Sequence, residues 1–62
     1  MNIPRYALWI ITFDGDADCE EGNNIQVLER KGRKILKDKG NEIDVMYIED
    51  SEIGGVAKYI KL

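Results

Sequence analysis

The sequence predicts a small α/β fold in which two parallel strands are joined through one helix. Three observations indicate this: an apolar run at residues 6–13, a helical repeat of apolar residues that ends before Gly40, and a second strand-like run at residues 43–48. The chain has 62 residues. Chains of this size bury only about 60% of the surface that they expose on unfolding, so we interpret residues 1–62 as a single domain with one core.

The first predicted strand covers residues 6–13, and neither its odd nor its even positions form a polar set. An apolar run without alternation is typical of a strand covered on both sides, as in parallel sheets. Residues 14–24 follow with two glycines and five carboxylates. We interpret this polar stretch as the loop that leaves the strand.

The helix is predicted to start near Asn23, because Asn23 and Gln26 resemble a capping box. Gly40 is expected to end it. One apolar face is formed by Ile25, Leu28, Gly32, Ile35 and Leu36. A glycine inside a helix costs roughly 1 kcal/mol relative to alanine, so Gly32 on this face suggests that the helix approaches the sheet closely.

Residues 43–48 form the second predicted strand. A crossover of this length predicts parallel strands with a right-handed connection, which would place Asp14 and Glu49 at the same carboxyl edge of the sheet. The remaining residues, 51–62, have two interpretations. A helix capped by Ser51 is slightly favoured, while Gly54-Gly55 would equally suit a turn into a third strand.

The acidic loop is the most suggestive chemical feature of the sequence. Asp14 and Asp16 bracket a glycine directly after the first strand. Mg²⁺ is typically held by one or two protein carboxylates together with water and phosphate oxygens. We therefore expect a Mg²⁺ site at Asp14 and Asp16, with Glu49 or Asp50 from the neighbouring strand end as a further ligand.

The acidic loop has two other interpretations. Its carboxylates could form a solvated surface next to a helix N-terminus, where negative charge is favourable. A calcium loop of the EF-hand type has the same alternate spacing of aspartates, but Cys19 stands where that loop needs glycine and Ile25 where it needs the bidentate glutamate.

Residues 8–17, Leu-Trp-Ile-Ile-Thr-Phe-Asp-Gly-Asp-Ala, resemble the second acidic motif of Toprim domains of DNA primases and topoisomerases. The similarity of pattern extends over residues 7–50. It implies that Asp14 and Asp16 are a metal-binding pair, and that the chain is a Mg²⁺-binding fragment or subunit associated with nucleic-acid metabolism. Asp18-Cys19 departs from the Ala-Gly of the primase motif, and residues 1–5 offer no counterpart of the family's upstream strand with its catalytic glutamate. A complete enzyme is therefore not expected.

The predicted helix is locally basic, because six of the nine basic residues lie between positions 30 and 39. Arg30, Arg33, Lys34 and Lys37 are our candidates for contacts with nucleic-acid phosphates. The alternative is an ordinary polar outer face, since no aromatic residues interleave with these charges as a single-strand platform would need.

A second function class is a small non-catalytic regulatory protein that binds a protein partner or forms a homo-oligomer. Tyr6, Leu8 and Trp9 carry more apolar surface than one helix is expected to cover. The chain has one cysteine, Cys19, and no histidine, which excludes a disulfide framework or a Cys/His zinc site within one copy and favours the cytoplasm. Its longest apolar run is too short to span a membrane.

Overall fold

A computed structural model describes residues 3–61, which form one four-stranded sheet with one α-helix on it. In chain order the elements are β1 (Tyr6–Thr12), β2 (Ala17–Gly22), α1 (Ile25–Lys39), a 3₁₀ turn (Gly40–Glu42), β3 (Ile43–Asp50) and β4 (Gly55–Tyr59). The strands lie in the order β2-β1-β3-β4, and every neighbouring pair is antiparallel. The predicted βαβ core with parallel strands is therefore wrong.

A tight hairpin between β1 and β2 is the reason for this difference. The Thr12 N–H donates to the carbonyl oxygen of Asp16 at 3.0 Å, and the Gly15 N–H donates to that of Thr12 at 3.1 Å. Gly15 has φ 94°, which suits a three-residue hairpin loop ending in a left-handed glycine. The chain has already reversed before α1, so β3 enters antiparallel to β1, and β2 and β3 run in the same direction on either side of it.

The hairpin strand β2 lies in the stretch that the sequence analysis interpreted as a loop. All of its residues except Gly22 are exposed, and three of the six are carboxylates. Such an edge strand gains its order from backbone pairing with β1 and shows no apolar alternation. The dipeptide Asp14-Gly15 is the sequence signal that could have revealed it, because Asp-Gly is a strong hairpin marker.

The helix α1 begins one residue later than the capping prediction. Asn24 is the N-cap, and its Oδ1 accepts from the backbone N–H groups of Gln26 at 3.0 Å and Val27 at 3.3 Å. The Asn23 side chain instead accepts from the Arg5 N–H at 3.0 Å. The predicted end is confirmed, since α1 stops at Lys39. Among residues 3–61, no helix has the length and apolar character needed to cross a membrane.

The core lies between α1 and one face of the sheet, which we call the helix face. Its buried side chains are Leu8, Leu28, Leu36, Ile43, Met46, Ile48 and Ile60. A Cβ atom added at Gly32 would lie 2.8 Å from both Ile60 Cδ1 and Met46 Sδ. The expected close approach of helix to sheet at Gly32 is therefore confirmed.

The favoured helical interpretation of residues 51–62 is wrong within the part that the structure describes. Residues 51–54 form a turn in which the Gly54 N–H donates to the Asp50 carbonyl oxygen at 3.0 Å and Gly54 has φ 67°. Strand β4 follows, as the alternative interpretation predicted. The Ile60 N–H donates to the Met46 carbonyl oxygen at 2.9 Å, which places the Ile60 side chain in the core.

Candidate functional site

The four residues predicted to bind metal lie at opposite ends of the sheet. Asp14 and Asp16 belong to the hairpin beyond Thr12, which pairs with Ile43. Glu49 and Asp50 lie at the other end of β3, where Asp50 pairs with Tyr6. The two ends of β1 are on the order of 20 Å apart, since a strand rises about 3.4 Å per residue. The expectation of one shared edge is therefore wrong.

Asp50 is also fully engaged in contacts within the chain. Its buried carboxylate accepts from Arg5 Nε and Nη2, each at 3.0 Å, and from the Glu52 N–H at 2.9 Å. The Arg5 hydrogen bond holds the pKa of the Asp50 carboxyl below its ordinary value. These contacts use both oxygens of the carboxylate to join the segment before β1 to the turn after β3.

The hairpin carboxylates line a groove of about 370 Å³ near the C-terminal end of α1. Five acidic side chains contribute to it: Asp14, Asp16, Asp18, Asp38 and Glu42. Within residues 3–61, however, no three Asp, Glu or Cys side chains are arranged so that they could hold a metal ion. Mg²⁺ binding by Asp14 and Asp16, and with it a role in nucleic-acid metabolism, stays a prediction.

All four candidate phosphate-binding residues share one side of α1. Arg30, Lys34 and Lys37 are exposed and spaced at i, i+4 and i+7, so they form a stripe that we call the basic stripe. Arg33, three residues after Arg30, lies beside this stripe, with its Nη2 3.2 Å from Glu29 Oε2 and its Nη1 3.4 Å from the Lys61 carbonyl oxygen. Nucleic-acid binding by this stripe likewise stays a prediction.

The sheet face opposite α1, which we call the open face, carries a row of side chains from all four strands. Trp9 on β1 pairs with Cys19 on β2 and with Tyr47 on β3, and Tyr47 pairs with Tyr59 on β4. Paired residues of neighbouring strands point to the same face. The Tyr47 and Tyr59 ring centroids are 6.0 Å apart. We call Trp9, Tyr47 and Tyr59 the aromatic row.

Two carboxylates lie next to the aromatic row on the same face. Ala7 pairs with Glu21 on one side and Glu49 on the other. Glu21 and Glu49 are exposed. Partial burial, followed by the negative charges of Glu21 and Glu49, raises the pKa of the Cys19 thiol. These carboxylates of β2 and β3 therefore lie on either side of β1 on the open face.

Apolar side chains complete the open face beyond the aromatic row. Ile11 pairs with Ala17 and with Val45, while Val56 on β4 pairs with Glu49. The apolar residues Tyr6, Leu8 and Trp9 of the sequence predict more apolar surface than one helix covers. Of these three, Leu8 and Tyr6 pack in or against the core, whereas Trp9 is the one on the open face.

No known protein family, curated protein or solved structure matches this chain.

Proposed function

We propose that this chain is a small non-catalytic binding module whose open face contacts a partner protein. The observation that carries the proposal is the aromatic row, on a sheet face that no other element of residues 3–61 covers. Tryptophan and tyrosine dominate the binding energy of many protein interfaces, because they bury a large area with few rotatable bonds. The proposal includes the cytoplasmic location that a single cysteine favours.

The pattern of the two central strands supports the proposal. A sheet face exposed to water usually carries polar side chains at alternate positions. Here the open-face positions of β1 are Ala7, Trp9 and Ile11, and those of β3 include Val45 and Tyr47. The apolar run indicated a strand covered on both sides, but α1 covers only one. A partner protein would supply the second cover.

The titratable groups of the open face favour binding over catalysis. Cys19 is its only thiol, and burial together with the adjacent carboxylates raises the pKa of that thiol, which disfavours the reactive thiolate. The chain has no histidine to act as a general base. The open face is thus equipped for contact rather than for nucleophilic chemistry.

A photo-crosslinker on Cys19 tests the proposed function. Cys19 is the only cysteine of the chain, so a benzophenone maleimide labels the open face at one site. Labelling is done at mildly alkaline pH because the pKa of this thiol is raised. In an extract of the cells that make the protein, we expect one discrete crosslinked adduct. An excess of the unlabelled chain should suppress this adduct, whereas an excess of the unlabelled Tyr59→Ser variant should not.

The control moves the label off the open face. Phe13 lies in the hairpin loop and is 69% exposed, so Cys19→Ser with Phe13→Cys carries the same label at another accessible site. As a competitor, Phe13→Ser should suppress the adduct as well as the unaltered chain does. Equal adducts from both labelling positions, or no adduct from Cys19, would show that the open face is not a protein-binding surface.

A further inference from the structure

We propose that the segment bound by the open face is basic, namely a stretch of another protein that presents lysine or arginine side chains. This inference rests on the proposed function and specifies its partner. The paired strand positions of the open face carry two carboxylates, Glu21 and Glu49, and no basic side chain. A partner that covers this face must therefore supply positive charge or leave both carboxylates unpaired, which is costly on burial.

Two helix-face carboxylates, Glu20 and Asp50, form ion pairs within the chain, whereas the two open-face carboxylates do not. Glu20 and Glu21 are consecutive in β2 and point to opposite faces, as do Glu49 and Asp50 in β3. On the helix side, Glu20 pairs with Lys31. Asp50 pairs with Arg5. Within residues 3–61, neither Glu21 nor Glu49 forms an ion pair.

The aromatic row lies within reach of a cation that pairs with these carboxylates. On β1 and β3, Trp9 and Tyr47 are two residues from Ala7 and Glu49, a spacing on the order of 7 Å. One lysine or arginine side chain can span this distance, placing its stem on an aromatic ring and its charged end near a carboxylate. The chain already contains one such contact, with Arg5 Cζ 5.0 Å from the centroid of the Tyr6 ring.

Two other occupants fit the open face less well. A symmetric face-to-face dimer would bury Glu21 and Glu49 of both copies without a counter-charge on that face. A single-stranded nucleic acid needs positive charge beside its stacking residues. The basic stripe lies on α1, on the opposite side of the sheet from the aromatic row, so the two cannot act on one strand together.

The fluorescence of Trp9, the only tryptophan, reports binding at the open face directly. The probes are peptides of about eight residues, the length of an ordinary strand, in which threonine alternates with lysine, arginine or glutamate. A thymidine oligonucleotide is the fourth probe. We expect saturable changes with the lysine and arginine peptides that weaken as salt is added, and none with the other two probes.

Two variants with the same change in net charge make the test specific. Glu21→Gln with Glu49→Gln should weaken binding of the lysine peptide about fivefold, since exposed charge pairs contribute modestly and two are lost. Asp14→Asn with Asp16→Asn removes the same charge from the hairpin loop and should leave the affinity within about twofold. Weaker binding of the lysine peptide in both variants, or in neither of them, would overturn the proposal.

The remaining outcomes separate this inference from the proposed function. Equal binding of the glutamate peptide or the oligonucleotide overturns the basic-partner proposal, and so does the absence of binding by every probe. The sedimentation mass of the unaltered chain could also rise with concentration, while the double variant Lys34→Glu with Lys37→Glu stays monomeric. That result would identify the basic stripe of a second copy as the occupant of the open face, and it would also overturn the basic-partner proposal. In each case a specific adduct at Cys19 would still support protein binding by the open face.

Discussion

The carboxylate of Asp50 holds the segment before β1 against the turn after β3. Arg5 donates two hydrogen bonds to it, and the Ser51 N–H and Oγ in turn donate to the Arg5 carbonyl oxygen at 2.9 and 3.0 Å. A single buried acidic residue thus joins two distant parts of the chain. Its side chain is only 7% exposed, whereas that of Arg5 is 43% exposed.

The Asp50–Arg5 contact predicts a specific dependence of stability on pH. The folded state lowers the pKa of Asp50, so the contact stabilises fully above the unfolded carboxyl pKa of about 3.9 and is lost as the pH falls towards the folded value. Asp50→Asn should therefore be less stable than the unaltered chain near neutral pH, with a difference that shrinks on acidification. Urea midpoints over a pH series measure this.

Asp38→Asn is the matched control for that series. Asp38 is exposed and forms no ion pair within residues 3–61, so its neutralisation should change the urea midpoint little at any pH. If the difference between Asp50→Asn and the unaltered chain stayed constant from neutral to acidic pH, the charge of Asp50 would not be the source of its contribution.

At the scale of elements, the contact of α1 with the sheet depends on the missing side chain at Gly32. Gly32→Val would place its Cβ within 2.8 Å of Ile60 Cδ1 and Met46 Sδ. Overpacking of this kind typically costs about 1–3 kcal/mol. We expect the free energy of unfolding, measured with urea, to fall by that amount.

Gly55→Val adds the same volume where there is room for it. A Cβ at Gly55 would meet nothing within 4 Å, and valine suits a strand such as β4. Its effect should stay within about 0.5 kcal/mol. Equal losses in the two valine variants would mean that close helix packing at Gly32 does not limit stability.

The elements that could be predicted from the sequence are those in which apolar side chains recur with the period of a helix or form a strand-like run. The face of α1 formed by Leu28, Gly32 and Leu36 is buried as the helical repeat predicted, and β3 extends the predicted strand at 43–48 to Ile43–Asp50. Strand β2 has no such pattern, since it is an acidic edge strand held by backbone hydrogen bonds. Side-chain periodicity carries little information about a strand of that kind.

At the scale of the whole molecule, the unrecognised β2 strand changed the topology and with it the candidate site. Without β2, the crossover through α1 implies parallel strands and places Asp14 near Glu49. With it, those residues separate, and Cys19 joins Trp9 and Tyr47 in one row. The excess of apolar surface was visible in the sequence, but its position depended on the register of four strands.

The size of the molecule predicts that one core truncation is enough to unfold it. Domains are stable by roughly 0.05–0.15 kcal/mol per residue, and small ones bury the least surface. Ile60 is 3% exposed and joins β4 to the core. Ile60→Ala should cost about 2–5 kcal/mol, a large share of the total, and produce a mostly unfolded chain by circular dichroism.

Ile53→Ala is the control for this truncation, because Ile53 is 64% exposed in the turn before β4. It should retain the thermal unfolding transition of the unaltered chain. A folded Ile60→Ala variant with an unchanged transition would show that β4 contributes little to the core.

The two edges of the sheet differ in how they resist aggregation. Strand β2 presents Asp18, Glu20 and Glu21 along one edge, and carboxylates on an edge strand repel the strands of other molecules. Strand β4 forms the other edge; it has only five residues and an irregular register against β3. A short, irregular edge strand is a poor template for the addition of a strand from another molecule. Replacing Asp18, Glu20 and Glu21 with the corresponding amides would remove the first defence and leave the second intact, so fibrils of that variant would grow along β2.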